Sequence, residues 1–189
     1  NFGDTVTGHD SVLPDAPLPC TFRHGRAEDY LSSLGPGHTF DTVFHLAATV
    51  GGRTVIEGSP LHIARNLELD RTVFDYIARV RTTRLVYPSS SAVYPLHLQE
   101  GEGARALEEA DVDFTSGRLG VPDNTYGWVK LTAEFTASLV RPHIEAPIVV
   151  YRPFSVYGPG QAEDYPVTAI ARRVLARADP LVVWGSGQQ

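Results

Sequence analysis

Arg84-Leu85-Val86-Tyr87-Pro88-Ser89-Ser90-Ser91-Ala92-Val93-Tyr94 is the stretch that decides the fold. Its first half is an apolar run of strand length with no polar alternation, which predicts a strand covered on both faces, as in a parallel sheet. The run ends in three serines. In open parallel sheets ligands bind outside the carboxyl ends of the strands, so the serine triplet stands where such a sheet does its chemistry.

Outward from that stretch the pattern repeats. Thr42-Val43-Phe44-His45-Leu46-Ala47 and Pro147 to Arg152 are further apolar runs, and Cys20 to Arg23 reads as a short strand. Between them Arg26 to Leu34 predicts a short helix closed by Gly35-Pro36-Gly37. Ser59-Pro60 offers an N-cap and a first-turn proline, and Leu61, Leu69, Val73 and Ile77 keep helical spacing up to Val80. Asp123 or Asn124 caps a further helix, with Leu131, Phe135 and Leu139 as its inward row. Thr168 to Ala178 reads as a helix and Leu181 to Trp184 as a last strand. Residues 1 to 19 read as an exposed loop, and 94–123 as an acidic, solvent-facing loop acting as a substrate-side lid. Alternating strands and helices predict an α/β, doubly wound, mostly parallel sheet.

Composition narrows the function. An apolar share of 42% and a charged share of 20% suit a soluble globular domain. A net charge of −6 with no basic stripe excludes nucleic acid and anionic membrane as main partners. Cys20 is the only cysteine, so no internal disulfide forms, and no Cys/His cluster predicts a metal. With no apolar run of membrane length and no signal peptide, a reducing cytoplasm is the expected compartment. The sequence contains no methionine, and both ends read as cut.

The chemistry centres on Tyr126-Gly127-Trp128-Val129-Lys130. Residues four apart share a helix face, so a phenol and an ammonium can meet at one point. An ammonium nearby favours the phenolate, and a serine hydroxyl can hold the oxygen that exchanges the proton. Taken alone, that spacing arises by chance on many helices. Other residues have plain readings: His45 as a hydrogen-bonded core histidine, Trp128 as packing or pocket wall, Asn66 as a helix residue anchoring the sheet with contact to the cofactor loop as the lesser alternative, and Arg152 as a strand-end arginine that meets a phosphate or, more commonly for such a position, a carboxylate.

Five segments in order resemble the extended short-chain dehydrogenase/reductase family, in its NAD-dependent nucleotide-sugar epimerase/dehydratase branch. They are His45-Leu46-Ala47-Ala48, Asn66, Pro88 to Tyr94, Tyr126 to Lys130, and Arg152 to Gly160. The resemblance implies a Rossmann-type fold of which 1–189 is a partial NAD(P)-binding domain, lacking its first βαβ portion and most of the carboxyl-terminal substrate domain, with 94–123 a substrate-side loop and 153–189 opening the substrate-binding region. It implies Tyr126 as acid/base, Lys130 as its partner and Ser90 as the catalytic hydroxyl. Leu46, Ala47, Ala48 and Pro153, together with Tyr126 and Lys130, would touch NAD, with NADP the alternative. Ser91 and Ser155 would touch a nucleotide-sugar.

The glycine-rich fingerprint of the family is absent, and Arg26 stands where relatives carry an adenine-binding aspartate. Val50-Gly51-Gly52, Ser90 to Pro95 and Val183 to Gly187 look most like the GDP-fucose synthase and GDP-mannose epimerase subgroup, without its cysteine. Ser91 and Ala92 replace the acidic pair of sugar dehydratases. The reaction this leaves is 4-epimerisation through a 4-keto sugar. A keto-sugar reductase, or a non-catalytic binding module, is the alternative. Relatives pair as homodimers through the 60–80 helix and the catalytic helix.

Overall fold

The structure, a computed structural model, describes residues 4–183 apart from 36, 82, 100, 102, 103 and 164. Readings that fall on Asn1-Phe2-Gly3, Pro36, Glu100, Glu102 and Trp184 onward lie outside the described residues. In chain order the elements are β1 (Thr7–Asp10), β2 (Thr21–His24), α1 (Ala27–Ser33), β3 (Thr42–Phe44), α2 (Arg53–Gly58) and α3 (Pro60–Ala64). They continue with α4 (Asn66–Val80), β4 (Arg84–Pro88), α5 (Asn124–Val140), β5 (Ile148–Tyr151) and α6 (Pro166–Leu175).

All strand pairs are parallel: β1 with β2 in one sheet, and β3-β4-β5 in another, with Val43, Leu85 and Ile148 in register across it. Parallel neighbours need a helical crossover. α4 lies on the crossover from β3 to β4, and α5 on that from β4 to β5. The core forms where α1, α4 and α5 meet one face of the three-stranded sheet: Leu31, Val73, Phe74, Ile77, Leu85, Tyr87, Ala137 and Ile148 are buried together.

Several expectations are corrected. The strand at Thr42 stops at Phe44, and Phe44 and Leu46 are 64% and 68% exposed, so it is not covered on both faces. The cause is one-sided packing. Side chains alternate across a strand, and Val149 and Tyr151, on the opposite face of β5 from Ile148, also point away from the core and are exposed. Part of the supposed leading loop is β1, because its backbone pairs with Thr21 to His24. The predicted long helix breaks at Arg65 into α3 and α4, leaving Leu61 exposed. On α5, Leu131 is buried while Phe135 and Leu139 are exposed, because the face turned inward carries Lys130, Ala133, Glu134 and Ala137. The 94–123 segment is solvent-facing over most of its described residues, as expected, and is fixed at Tyr94 and Val112, which are buried against Leu131. Leu181 to Val183 are in no strand.

Candidate functional site

The end of β4 is where the elements converge. Ser89 N–H donates to the Tyr151 carbonyl (2.8 Å) and Ser91 N–H to the Pro153 carbonyl (3.2 Å), so the loops leaving β4 and β5 run side by side. This brings Ser90, Ser91 and Pro153 together. Ser90 is extended and opens a single 3₁₀ turn over Ser91–Val93, its Oγ accepting Ala92 N–H at 3.1 Å. That turn is locked to the start of α5, where Asp123 N–H donates to the Ala92 carbonyl at 2.9 Å. A Cβ on Gly127 would stand 2.4 Å from the same carbonyl oxygen. Gly127 is thus a site residue that the sequence reading passed over. A glycine next to Tyr126, inside a helix where it costs stability, was the available signal.

Tyr126, Lys130 and Glu134 rise in successive turns on the inner face of α5. Lys130 is only 4% exposed; its Nζ donates to the Pro88 carbonyl (2.9 Å) and the Tyr87 hydroxyl (3.4 Å) and lies 5.8 Å from the centre of the Tyr126 ring. Burial pushes the Lys130 ammonium below its usual range, opposed by the charge of Asp70. Burial also pushes the Tyr126 phenol up, with Tyr165 and Asp70 adding in the same direction. The expected lowering of Tyr126 is therefore not present in this state. Of the sixteen Lys and Arg residues in the sequence, Lys130 is the only lysine.

Glu134 holds the framework. It takes a bidentate pair from Arg152 (2.9 and 2.7 Å) and the Ser89 hydroxyl, tying α5 to the ends of β4 and β5. Arg152 also donates to the Glu109 carbonyl (3.0 Å) and stacks over Tyr94 at 5.0 Å, which anchors the 94–123 segment. The reading of Arg152 as a carboxylate partner holds.

On the other side, His45 N–H donates to the Val86 carbonyl (3.1 Å). Asn66, 1% exposed, clamps the loop beyond it, accepting Thr49 N–H (2.6 Å) and donating to the Thr49 carbonyl (2.8 Å). This makes Asn66 the anchor of the Leu46-Ala47-Ala48 segment. That segment lines a cleft of about 310 Å³ at the carboxyl ends of β1, β2 and β3, together with Asp10, Arg26 and Arg65. Mixed apolar walls with a few charged groups suit the adenosine part of a dinucleotide. Arg26 is paired with Glu28 at 2.8 Å. Ser155 lies exposed on the loop after β5 with φ of 30°, a left-handed backbone that side chains seldom adopt. Trp128 faces outward, half exposed. Among the described residues no group of three or more His, Cys, Asp or Glu is placed to hold a metal, and no helix is long and apolar enough to cross a membrane.

Residues 26–189 match the model of the NAD dependent epimerase/dehydratase family, and the chain belongs to that family. It is 31% identical over its whole length to UDP-N-acetyl-alpha-D-glucosaminuronate decarboxylase of Bacillus cytotoxicus, spanning 53% of that protein. Among solved structures it superposes on MoeE5 in complex with UDP-glucose and NAD with a TM-score of 0.69 and 30% identity, covering all of this chain and 58% of that one. UDP-glucuronic acid 4-epimerase from Bacillus cereus shares the fold at a TM-score of 0.72 and 24% identity, with 60% of that chain covered. The chain therefore spans a little over half the length of these relatives. Their names carry UDP-sugars, so the likeness to the GDP-sugar subgroup read from short phrases finds no support.

Proposed function

We propose that the protein is an NAD-dependent enzyme acting on a UDP-sugar, and that its reaction is 4-epimerisation. The observation that carries this reading is that Tyr126 and Lys130 share the inner face of α5, whose start is locked to the Ser90 turn at the carboxyl end of β4.

Bound NAD⁺ would supply a hydride acceptor. Leu46, Ala47 and Ala48 would line its adenosine side and Pro153 its nicotinamide side. Tyr126 is the group that takes the proton from the sugar C4 hydroxyl. Ser90 shares that hydrogen bond and fixes the oxygen. Lys130 presents positive charge to the phenol and offsets the burial that holds it protonated in this state. After the 4-keto sugar turns over, Tyr126 returns the proton to the C4 oxygen, and the bound cofactor would supply the hydride for the opposite face. Ser91 and Ser155 would contact the sugar. A dimer built on α5 is part of the proposal: Trp128, Phe135 and Leu139 give that helix an apolar outer face, 43–56% exposed.

One observation favours a second reading, UDP-uronate decarboxylation: the relative at 31% identity bears that name. A 4-keto group places the C6 carboxylate β to a carbonyl, so the same residues serve if the carboxylate is aligned for loss of CO₂. The test is to incubate the full protein with NAD⁺ and UDP-glucose, UDP-glucuronic acid and their N-acetylated forms. Inversion at C4, abolished in Tyr126→Phe, supports the proposal. Release of CO₂ supports the second reading, and turnover unchanged in Tyr126→Phe contradicts both.

A further inference from the structure

The polar chain behind Lys130 is not needed by the reaction scheme above. The Tyr87 hydroxyl accepts from Lys130 Nζ (3.4 Å) and donates to Asp70 Oδ2 (3.0 Å). Asp70 Oδ1 sits 2.9 Å from His45 Nε2, so a carboxylate here fixes the hydrogen on that nitrogen. None of the four is more than 5% exposed. The chain runs from the loop after β3 across three elements, α4, β4 and α5. Buried charges are costly unless paired, and the directions of these bonds leave only one arrangement: ammonium to phenol, phenol to carboxylate, imidazole to carboxylate.

The other groups around Lys130 do not supply a counter-charge. On its own helix Tyr126 is a neutral phenol and Glu134 is taken by Arg152. On β4 Tyr87 is held neutral, its phenol pushed well up by burial and by Asp70. His45 adds no negative charge. Tyr165 acts on Tyr126, and it too is a phenol. Asp70 on α4 is what remains.

We propose that Asp70 is a positioning residue for the candidate catalytic lysine: through Tyr87 it supplies the buried counter-charge of Lys130, and through His45 it ties that charge to the loop that lines the cofactor cleft. The inference rests on the reading of Lys130 as part of the site. Its consequence is a working range. With Asp70 present the ammonium keeps its proton against burial. Without it burial prevails, and the ammonium is lost at lower pH.

The experiment is a carbon NMR titration of full-length protein carrying ¹³Cε-lysine, with the Lys130 signal assigned by its loss in Lys130→Arg. In Asp70→Asn the Lys130 midpoint is expected to fall by about one pH unit, as for loss of an opposite charge a few ångströms away. Tyr87→Phe, which keeps the His45–Asp70 pair, is expected to shift it the same way by less. In the enzyme assay the alkaline limb of the pH profile moves down in Asp70→Asn while the acid limb does not rise, because removing a negative charge does not raise Tyr126. A folded Asp70→Asn with an unmoved Lys130 midpoint overturns the proposal. Should Asp70→Asn not fold, an unmoved midpoint in Tyr87→Phe does so. The titration reads Lys130 whether or not any sugar turns over, so failure of the epimerase reading leaves it intact.

Discussion

Lys130 is a lysine in a sequence that otherwise uses arginine for every cation, and the site explains the choice. A guanidinium stays charged under all conditions and demands a planar set of acceptors, whereas an ammonium is compact and its proton affinity responds to burial. The slot under Tyr126 offers one carbonyl and one phenol. Lys130→Arg is therefore expected to fold less stably and to lose about 10²-fold or more in kcat, the scale of a positioned acid–base group, measured by steady-state turnover. The shared helix face of Tyr126 and Lys130 was legible from periodicity, but that spacing is common by chance, and the ordered run of five family-like segments is what singled the pair out. Asp70 was not, because it reaches Lys130 only through the packing of α4 against β4 and α5. Glu134 escaped for a related reason. A carboxylate on a helix reads as solvent-facing until a strand-end arginine is placed opposite it. Glu134→Ala strands the Arg152 guanidinium, 16% exposed, without its partner, and should cost about 3 kcal/mol, the usual range for breaking a buried pair, seen as a lowered melting temperature.

At the level of elements, the site depends on two backbone contacts that no side-chain motif describes. The first is the approach of α5 to the Ser91–Val93 turn through Gly127. Gly127→Ala places a methyl against the Ala92 carbonyl, and that backbone cannot yield as a flexible side chain would. Destabilisation of about 1–3 kcal/mol, as for overpacking, should accompany a drop in kcat larger than the change in KM, since the turn carries Ser90. Denaturant unfolding and steady-state kinetics check the two parts. The second is the clamp of Asn66 on Thr49. Asn66→Ala leaves that backbone pair unsatisfied and releases the Leu46–Ala48 segment. The thermal stabilisation by NAD⁺ should then shrink more than the stability of the free protein does. Helix positions were legible from caps and periodicity, but their inward faces were not. On α5 the buried face carries Lys130 and Glu134 among small and apolar residues while Phe135 and Leu139 face out, so a rule that turns the most apolar stripe inward gives the wrong rotation. The short strands misled in the same way. An apolar run predicts burial on both faces, yet Phe44, Val149 and Tyr151 line an uncovered one.

For the whole molecule, order along the chain carried more than any single motif. Strand, serine turn, tyrosine helix and strand-end arginine follow one another along one parallel β-α-β unit, β4-α5-β5, and the family match over residues 26–189 agrees. The subgroup was not legible, because phrases of three to five residues around glycines and serines report turn geometry more than substrate. The exposed apolar row of α5 belongs to this scale as well. If α5 packs on its symmetry mate, Phe135→Glu combined with Leu139→Glu should halve the mass found by light scattering while leaving the fold intact by circular dichroism. The central claim is that one phenol, one ammonium and one serine carry out reversible oxidation at C4. The most direct measurement is turnover of a UDP-sugar deuterated at C4 by the full protein with NAD⁺. A C4-inverted product that retains the deuterium is expected, because the hydride would leave and return within one site. Inversion with loss of the label to solvent, or no inversion with any UDP-sugar while NAD⁺ is bound, would contradict it.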